Sequence, residues 1–329
     1  MKAFAIDDDY IRGGLQLDHY SQDDVEACAC PFCGEFRPHT EIHVERGYLG
    51  VVRCNDCDLL YVNPRAKSPS ENYHGDAKLF FEEARLIFSG TKMHHRDGNY
   101  EWELNEIGKH KPAGRLLDIG TNMGFFLRKA IERGYDGQGV EPSPSLSQIA
   151  QKHCGLSITN SYFEASNFKA ESFDIITMID VFEHVTNPTN LLNSARRVLA
   201  DDGLLVIKVP NGNYNLLKQF LARKLGKPPT YDLWDAYEHV IHYVPETMAR
   251  MASKSGFSVS SLVLPIPIHA PVWHDFVGHY YQYPSPFIMD WKRIILREIF
   301  HTIGKLEQSV GLVPKFAPDL MFLLRKTSK

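Results

Sequence analysis

No run of about 18 or more apolar residues occurs anywhere in the 329 residues, so no membrane-spanning helix is expected. The first residues, Met1-Lys2-Ala3-Phe4-Ala5-Ile6-Asp7-Asp8-Asp9, turn acidic at once and lack the apolar stretch of a secretory signal, which predicts a cytoplasmic protein. A basic excess is missing too: 36 Lys and Arg stand against 40 Asp and Glu, for a formal charge of -4. That argues against nucleic acid as the main partner. There is no internal repeat and no low-complexity tract. Cysteine is sparse, with six in the chain, and in a reducing compartment these are thiols or metal ligands rather than disulfides.

Four of those six fall in a pattern. Cys30-Pro-Phe-Cys33 and Cys54-Asn-Asp-Cys57 are two C-x2-C pairs, 20 residues apart. Each pair lets two sulfurs of one tight turn reach the same ion, and two pairs close a tetrahedral S4 site that suits a structural zinc. Glu41 to Val44 and Tyr48 to Arg53 read as two short strands between the pairs. A redox C-x2-C needs one pair only. Cys28 and Cys154 read as bystanders.

From Gly114 onward strand and helix patterns alternate. Strands are expected at 115–120, 138–141, 173–180, 204–209, 258–264 and 320–324. Helices are expected at 123–133, 145–153, 189–200, 245–255 and from Ile288 to about Val310. This rhythm predicts a doubly wound α/β fold, with ligands held beyond the carboxyl ends of the strands. Residues 1–64 read as an acidic segment with a zinc ribbon. Residues 65–111 read as a helical connector or lid, and 112–329 as the main domain with an aromatic-rich insertion at 265–318.

The first strand of that domain runs into Asp118-Ile119-Gly120-Thr121-Asn122-Met123-Gly124. Gly120 suits a sharp turn, Asn122 tolerates positive φ, and Gly124 is read as letting backbone approach a ligand closely. A dinucleotide loop wants G-x-G-x-x-G; here Asn122 and Phe125 occupy its second and third glycine places. Glu141, followed by Pro142, ends the second strand 23 residues after Asp118, where an acid can accept both hydroxyls of a ribose. A ribose-bearing cofactor without phosphates, carrying positive charge beside Asp118, fits: S-adenosylmethionine. Alternatively, Asp118 and Glu141 only cap neighbouring turns.

The stretches Leu116–Leu127, Gly139-Val140-Glu141-Pro142, Phe173–Val185, Leu191–Asn211 and His242–Phe257 together resemble class I S-adenosylmethionine-dependent methyltransferases. The cysteine module followed by Tyr61-Val62-Asn63-Pro64 resembles a subset of them in which a zinc ribbon comes first, including sugar C-methyltransferases. The resemblance implies a seven-stranded Rossmann-like sheet whose last strand is antiparallel, and methyl transfer to a small molecule such as a sugar or sugar nucleotide. The large C-terminal sugar-binding domain of that subset is missing.

A methyl acceptor often needs a base. Candidates are Glu183 and His184 after the 173–180 strand, and His239 and His242 after the long loop that follows the 204–209 strand. Asp180 joins the expected cofactor ligands. His239 is preferred as base because it follows Glu238. Asp180, Glu183 and His184 also form D-x-x-E-H, similar to the E-x-x-E-H group of metal-assisted O-methyltransferases. A reading as an RNA or protein methyltransferase stays open, although acids and bases balance across residues 28–57. Aromatics between Pro265 and Pro318 (His269, Trp273, His274, Phe276, His279, Tyr280, Tyr281, Tyr283) suit a flat ring or sugar. The apolar residues of the 288–310 helix suit a homodimer face, a membrane surface or plain packing.

Overall fold

A computed structural model of the chain describes residues 24–45, 47–67, 87, 94, 96–165, 167–226, 233–267 and 287–327; of residues 165 and 287–293 only the backbone is described. The expected aromatic cluster from His269 to Tyr283 lies outside these residues, as do Tyr73, Phe80 and Phe81.

Among the described residues of 24–67 the regular elements are strands: β1 (Val25–Glu26), β2 (His39–Glu45), β3 (Leu49–Cys54), β4 (Leu60–Val62) and β5 (Arg65–Ala66). The α/β part begins with α1 (Asp97–Gly108) and β6 (Arg115–Ile119). It continues through α2 (Phe125–Glu132), β7 (Asp136–Val140), α3 (Pro144–Cys154), β8 (Ile158–Thr159) and β9 (Phe173–Ile179). Next come α4 (Pro188–Val198), β10 (Leu199–Pro210), α5 (Gly212–Lys224), β11 (Ile241–His242) and α6 (Pro245–Lys254). The last elements are β12 (Phe257–Val263), α7 (Phe287–Ser309) and β13 (Asp319–Lys326).

Seven strands form one sheet in the order β12-β13-β10-β9-β6-β7-β8. β6 pairs parallel with β7 and β9, while β13 runs antiparallel to both β10 and β12. The expected α/β fold, with an antiparallel last strand, is borne out. Both faces of the sheet are covered, and the alternation along each strand assigns residues to them. Leu205, Ile207 and Val209 of β10 face one core with Leu191, Leu192 and Ala195 of α4 and Met248 and Met251 of α6. Leu204 and Val206 face the other, with Leu104 and Ile107 of α1 and Phe126, Leu127 and Ala130 of α2.

Several elements differ from the sequence expectation, the short strands β1, β5 and β11 among them. The segment after β10, expected as a long loop, contains α5, whose first turn is capped by the Asn211 side chain accepting from Asn213 N at 3.0 Å. The two-residue β8 was not expected at all. A second sheet runs β11-β4-β3-β2, so the cysteine module shares a sheet with a strand from the 112–329 region. On α7, Ile295 and Leu306 are exposed, whereas Phe300 packs on Tyr214 and Phe316. Among the described residues no helix is long and apolar enough to cross a membrane.

Candidate active site

The loop between β6 and α2 bends through left-handed backbone at Gly120 (φ 71°), Asn122 (φ 52°) and Gly124 (φ 84°). A Cβ on Gly120 would meet Val181 Cγ2 at 2.5 Å, and one on Gly124 would meet Leu156 Cδ1 at 2.3 Å. The missing side chain at Gly124 permits a tight approach to α3 and the segment after it.

Glu141 follows β7 directly and is almost fully buried. Its Oε2 accepts from Asn122 N at 2.9 Å and its Oε1 from Ser143 N at 2.9 Å, so one carboxylate ties the first loop to the start of α3. Burial pushes this carboxyl up to about 7, against the lowering effect of those two amides. Asn160 Nδ2 donates to the carbonyls of Glu141 and Pro142 at 2.8 and 3.1 Å, fixing the turn from behind. Asp118, within β6, is equally covered; burial raises it to about 6 although Thr177 Oγ1 donates to it at 2.6 Å. Tyr100 of α1 stacks on His94 and meets Phe126 edge-on beside this loop.

At the end of β9 the chain again turns left-handed, at Asp180 (φ 55°). Lys208 Nζ donates to both Asp180 oxygens at 2.9 and 3.0 Å, and Arg96 pairs with the same carboxylate. Burial disfavours the charge, but Arg96 and Lys208 prevail and hold Asp180 well below the usual carboxylate range. The buried Glu103 of α1 lies 3.7 Å from each of these cations. Asp180 is thus committed to two cations, and it is His239, not Asp180, that the fold groups with Glu183 and His184.

Ligand atoms of Glu183, His184 and His239 all lie within 4.8 Å of one another. Glu183 is 2% exposed, and its two oxygens have no hydrogen-bond partner in the structure. Burial, then the neighbouring Asp180, raises its carboxyl well above the usual range. His239 Nε2 lies 4.0 Å from Glu183 Oε1 and 3.8 Å from Asp235 Oδ2. Burial lowers His239 to about 4, so its imidazole is neutral at pH 7. His184 Nδ1 sits 3.0 Å from the Glu238 carbonyl, which can only accept, so the proton is on Nδ1 and the lone pair on Nε2. His184 is held down to about 3 by burial and by the nearby His239. His242, in β11, is buried against Trp234 with ring centroids 4.8 Å apart. Tyr243 stacks on Phe182 at 5.0 Å beneath the cluster. The acids flanking His239 are Glu183 and Asp235, whereas Glu238 meets His184 through its backbone.

The four cysteines converge as well. Cys30 and Cys57 sulfurs are 3.5 Å apart, Cys33 and Cys54 sulfurs 3.9 Å apart, and all four lie within 4.8 Å of one another. A zinc with bonds of about 2.3 Å requires sulfurs about 3.8 Å apart, so these residues fit one tetrahedral ion.

Sequence reasoning missed Arg96, Glu103, Lys208, Asp235 and Glu45. Lys208 had a visible signal, a lysine inside the apolar run Leu204 to Val209, because a buried cation needs an acid. The others carry none, since their partners are distant in the chain.

Among curated relatives, an uncharacterized protein of Methanocaldococcus jannaschii is 30% identical over 125 residues, 38% of this chain. A ubiquinone biosynthesis O-methyltransferase of Coxiella burnetii is 25% identical over 165 residues, 47% of this chain. The chain spans 58% and 66% of the lengths of these two. Solved structures similar to it include a possible histamine N-methyltransferase of Thermotoga maritima, at 23% identity and TM-score 0.41 over 56% of this chain and 80% of that one. Another is a 1,6-didemethyltoxoflavin-N1-methyltransferase of Burkholderia thailandensis with bound S-adenosylhomocysteine, at 13% identity and TM-score 0.46 over 88% of this chain and all of that one. The family described as methyltransferase domain matches residues 93–262, more than half of the chain and the span that holds both loops and both histidine-bearing segments. The chain belongs to this methyltransferase-domain family.

Proposed function

We propose that this chain is an S-adenosylmethionine-dependent methyltransferase acting on a small molecule, of which a sugar or sugar nucleotide fits best. The observation that carries the cofactor is Glu141, a buried carboxylate directly after β7 that takes the amides of Asn122 and Ser143 and so stands where an acid can accept the hydroxyls of a ribose. Gly120, Asn122 and Gly124 shape the loop it grips, and Asp118 and Pro142 brace it. S-adenosylmethionine, when bound, supplies a methyl group on a sulfonium. Asp180, fixed by Arg96 and Lys208, keeps negative charge at the same edge of the sheet.

The chain's own chemistry is then alignment and proton removal. His239, neutral at pH 7, takes the acceptor proton, and the Asp235 carboxylate beside it offsets the charge that forms. His184 and His242 pack around His239, and the buried rings of Trp234 and Tyr243 back this side of the site. Cys30, Cys33, Cys54 and Cys57 hold one structural zinc, and the module resembles the ribbon of sugar C-methyltransferases.

A second reading follows from the compactness of Glu183, His184 and His239. Two imidazoles and a carboxylate within 4.8 Å suit a divalent cation that lowers the pKa of an acceptor hydroxyl. Calorimetry with S-adenosylmethionine, then a transfer assay against sugar nucleotides and catechols with and without added magnesium or zinc, separates the two. Failure of the folded, zinc-loaded protein to bind the cofactor would sink both. Turnover that requires added metal would favour the second.

A further inference from the structure

Glu45 closes strand β2 of the cysteine module, and it is 1% exposed. Its carboxylate grips backbone from a distant part of the chain. Oε1 accepts from Leu233 N at 2.8 Å and Trp234 N at 2.5 Å, and Oε2 accepts from Ala236 N at 2.8 Å. The gripped segment turns left-handed at Asp235 (φ 58°), whose carbonyl accepts from His239 N at 2.8 Å. Directly after His239 the chain becomes part of the module's own sheet: Val62 N donates to the Val240 carbonyl at 2.9 Å, and Ile241 and His242 pair with Tyr61 and Leu60. The histidine-bearing segment is therefore held by the module on both sides, by Glu45 before it and by β4 after it.

Side chains of α5 reinforce the grip. Gln219 accepts from Trp234 Nε1 at 3.1 Å and donates to the Ile42 carbonyl at 2.7 Å, while Lys218 donates to the Leu233 carbonyl at 3.1 Å. Three main-chain donors on one buried carboxylate are charge-assisted bonds, stronger than neutral ones and strict in direction. Glutamine cannot replace them, because its amide nitrogen would face a donor. Aspartate keeps the charge but falls one carbon short.

We propose that Glu45 is a positioning residue: through the 233–239 turn it sets where His239 stands against Glu183 and His184, so that the cysteine module is the mount of the acceptor side of the site. This rests on the reading above for its catalytic consequence, but not for its geometry.

The experiment uses the full chain and the variants Glu45→Gln and Glu45→Asp. Hydrogen exchange of peptides covering 233–239 is followed by mass spectrometry. Affinity for S-adenosylmethionine is measured by calorimetry, and kcat and KM are taken on whichever acceptor the unmodified protein turns over. In Glu45→Gln, exchange at 233–239 should speed by about tenfold or more, the effect of losing one charged hydrogen bond. The cofactor Kd should stay within about twofold while kcat falls by about 10–100-fold, the cost of misplacing a reacting group by about 1 Å. Glu45→Asp should lie between, and it decides the matter if Glu45→Gln does not fold. Unchanged exchange, or a fall in kcat matched by an equal loss of cofactor affinity, would overturn the proposal. If the unmodified protein does not bind S-adenosylmethionine, the functional reading fails while the exchange result still decides whether Glu45 mounts the segment.

Discussion

Glu141 combines two demands that pull its carboxyl in opposite directions. Burial raises it to about 7, yet a ribose diol needs the ionised form as acceptor. Its folded value lies above the unfolded one, so the group favours the folded protein at acid pH and loses that contribution as pH rises through about 7. Cofactor binding runs the other way, because it draws on the carboxylate. Affinity for S-adenosylmethionine should therefore strengthen as pH rises from 5.5 through about 7 and level off above, with a slope approaching tenfold per pH unit on the acid side. Glu141→Gln should weaken binding by about 10–100-fold, as for a lost hydrogen bond to a charged group, and should flatten the profile. Calorimetry across that range checks both. A flat profile in the unmodified protein would remove Glu141 from the cofactor site. Asp118, raised to about 6, contributes a second and lower-lying step of the same sign.

The glycine loop depends on α3 as much as on its own backbone. Gly124→Ala places a Cβ where Leu156 Cδ1 lies 2.3 Å away and Ala150 Cβ 3.1 Å away, at a φ of 84°. Strain and overpacking together should cost about 2–4 kcal/mol. Gly134→Ala has a φ of 96° and nothing within 4 Å, so only backbone strain of about 1–3 kcal/mol should appear. Urea denaturation of the two variants separates the terms; equal losses would mean that contact with α3 does not matter. Elements of this kind were legible in the sequence wherever a period or a cap announced them. β9 and β10 showed as apolar runs, and α6 showed through Pro245 at its start and Gly256 past its end. The helix α5 did not, because it buries Asn215 and Gln219 beside Tyr214 and so lacks an apolar stripe. β8 has two residues and no period to read. In the site, Asp118, Glu141, Glu183 and His184 were visible because each ends or follows a recognisable strand. The grouping of His239 with Glu183 instead of Asp180 was not, since it depends on which acid Arg96 and Lys208 take.

Two sheets meet in this molecule, and they divide the site between them. The seven-stranded sheet carries the glycine loop between β6 and α2, while the smaller sheet holds the histidine-bearing segment through β4 and β11. The cysteines sit at one end of the β2–β3 hairpin, where His39 pairs with Cys54, and Glu45 sits at the other, where it pairs with Leu49. Seven residues of strand place these ends about 20 Å apart. The module is also tied to α6, since Arg250 donates to the Cys57 carbonyl and Lys254 to the Phe32 carbonyl. Removing the metal should therefore act on one half of the site and spare the other. The purified chain should hold about one zinc, and Cys57→Ser or a strong chelator should release it. The module is small, so much of its folding free energy should come with the ion. Limited proteolysis after chelation should then cut within 24–67 and within 233–244. The loop after β6 is held by Glu141 through the amides of Asn122 and Ser143 rather than by the module, so S-adenosylmethionine should still bind, with turnover lost. Cofactor binding that disappears together with the metal would show that the two sheets fold as one unit, and the division of labour between them would not hold.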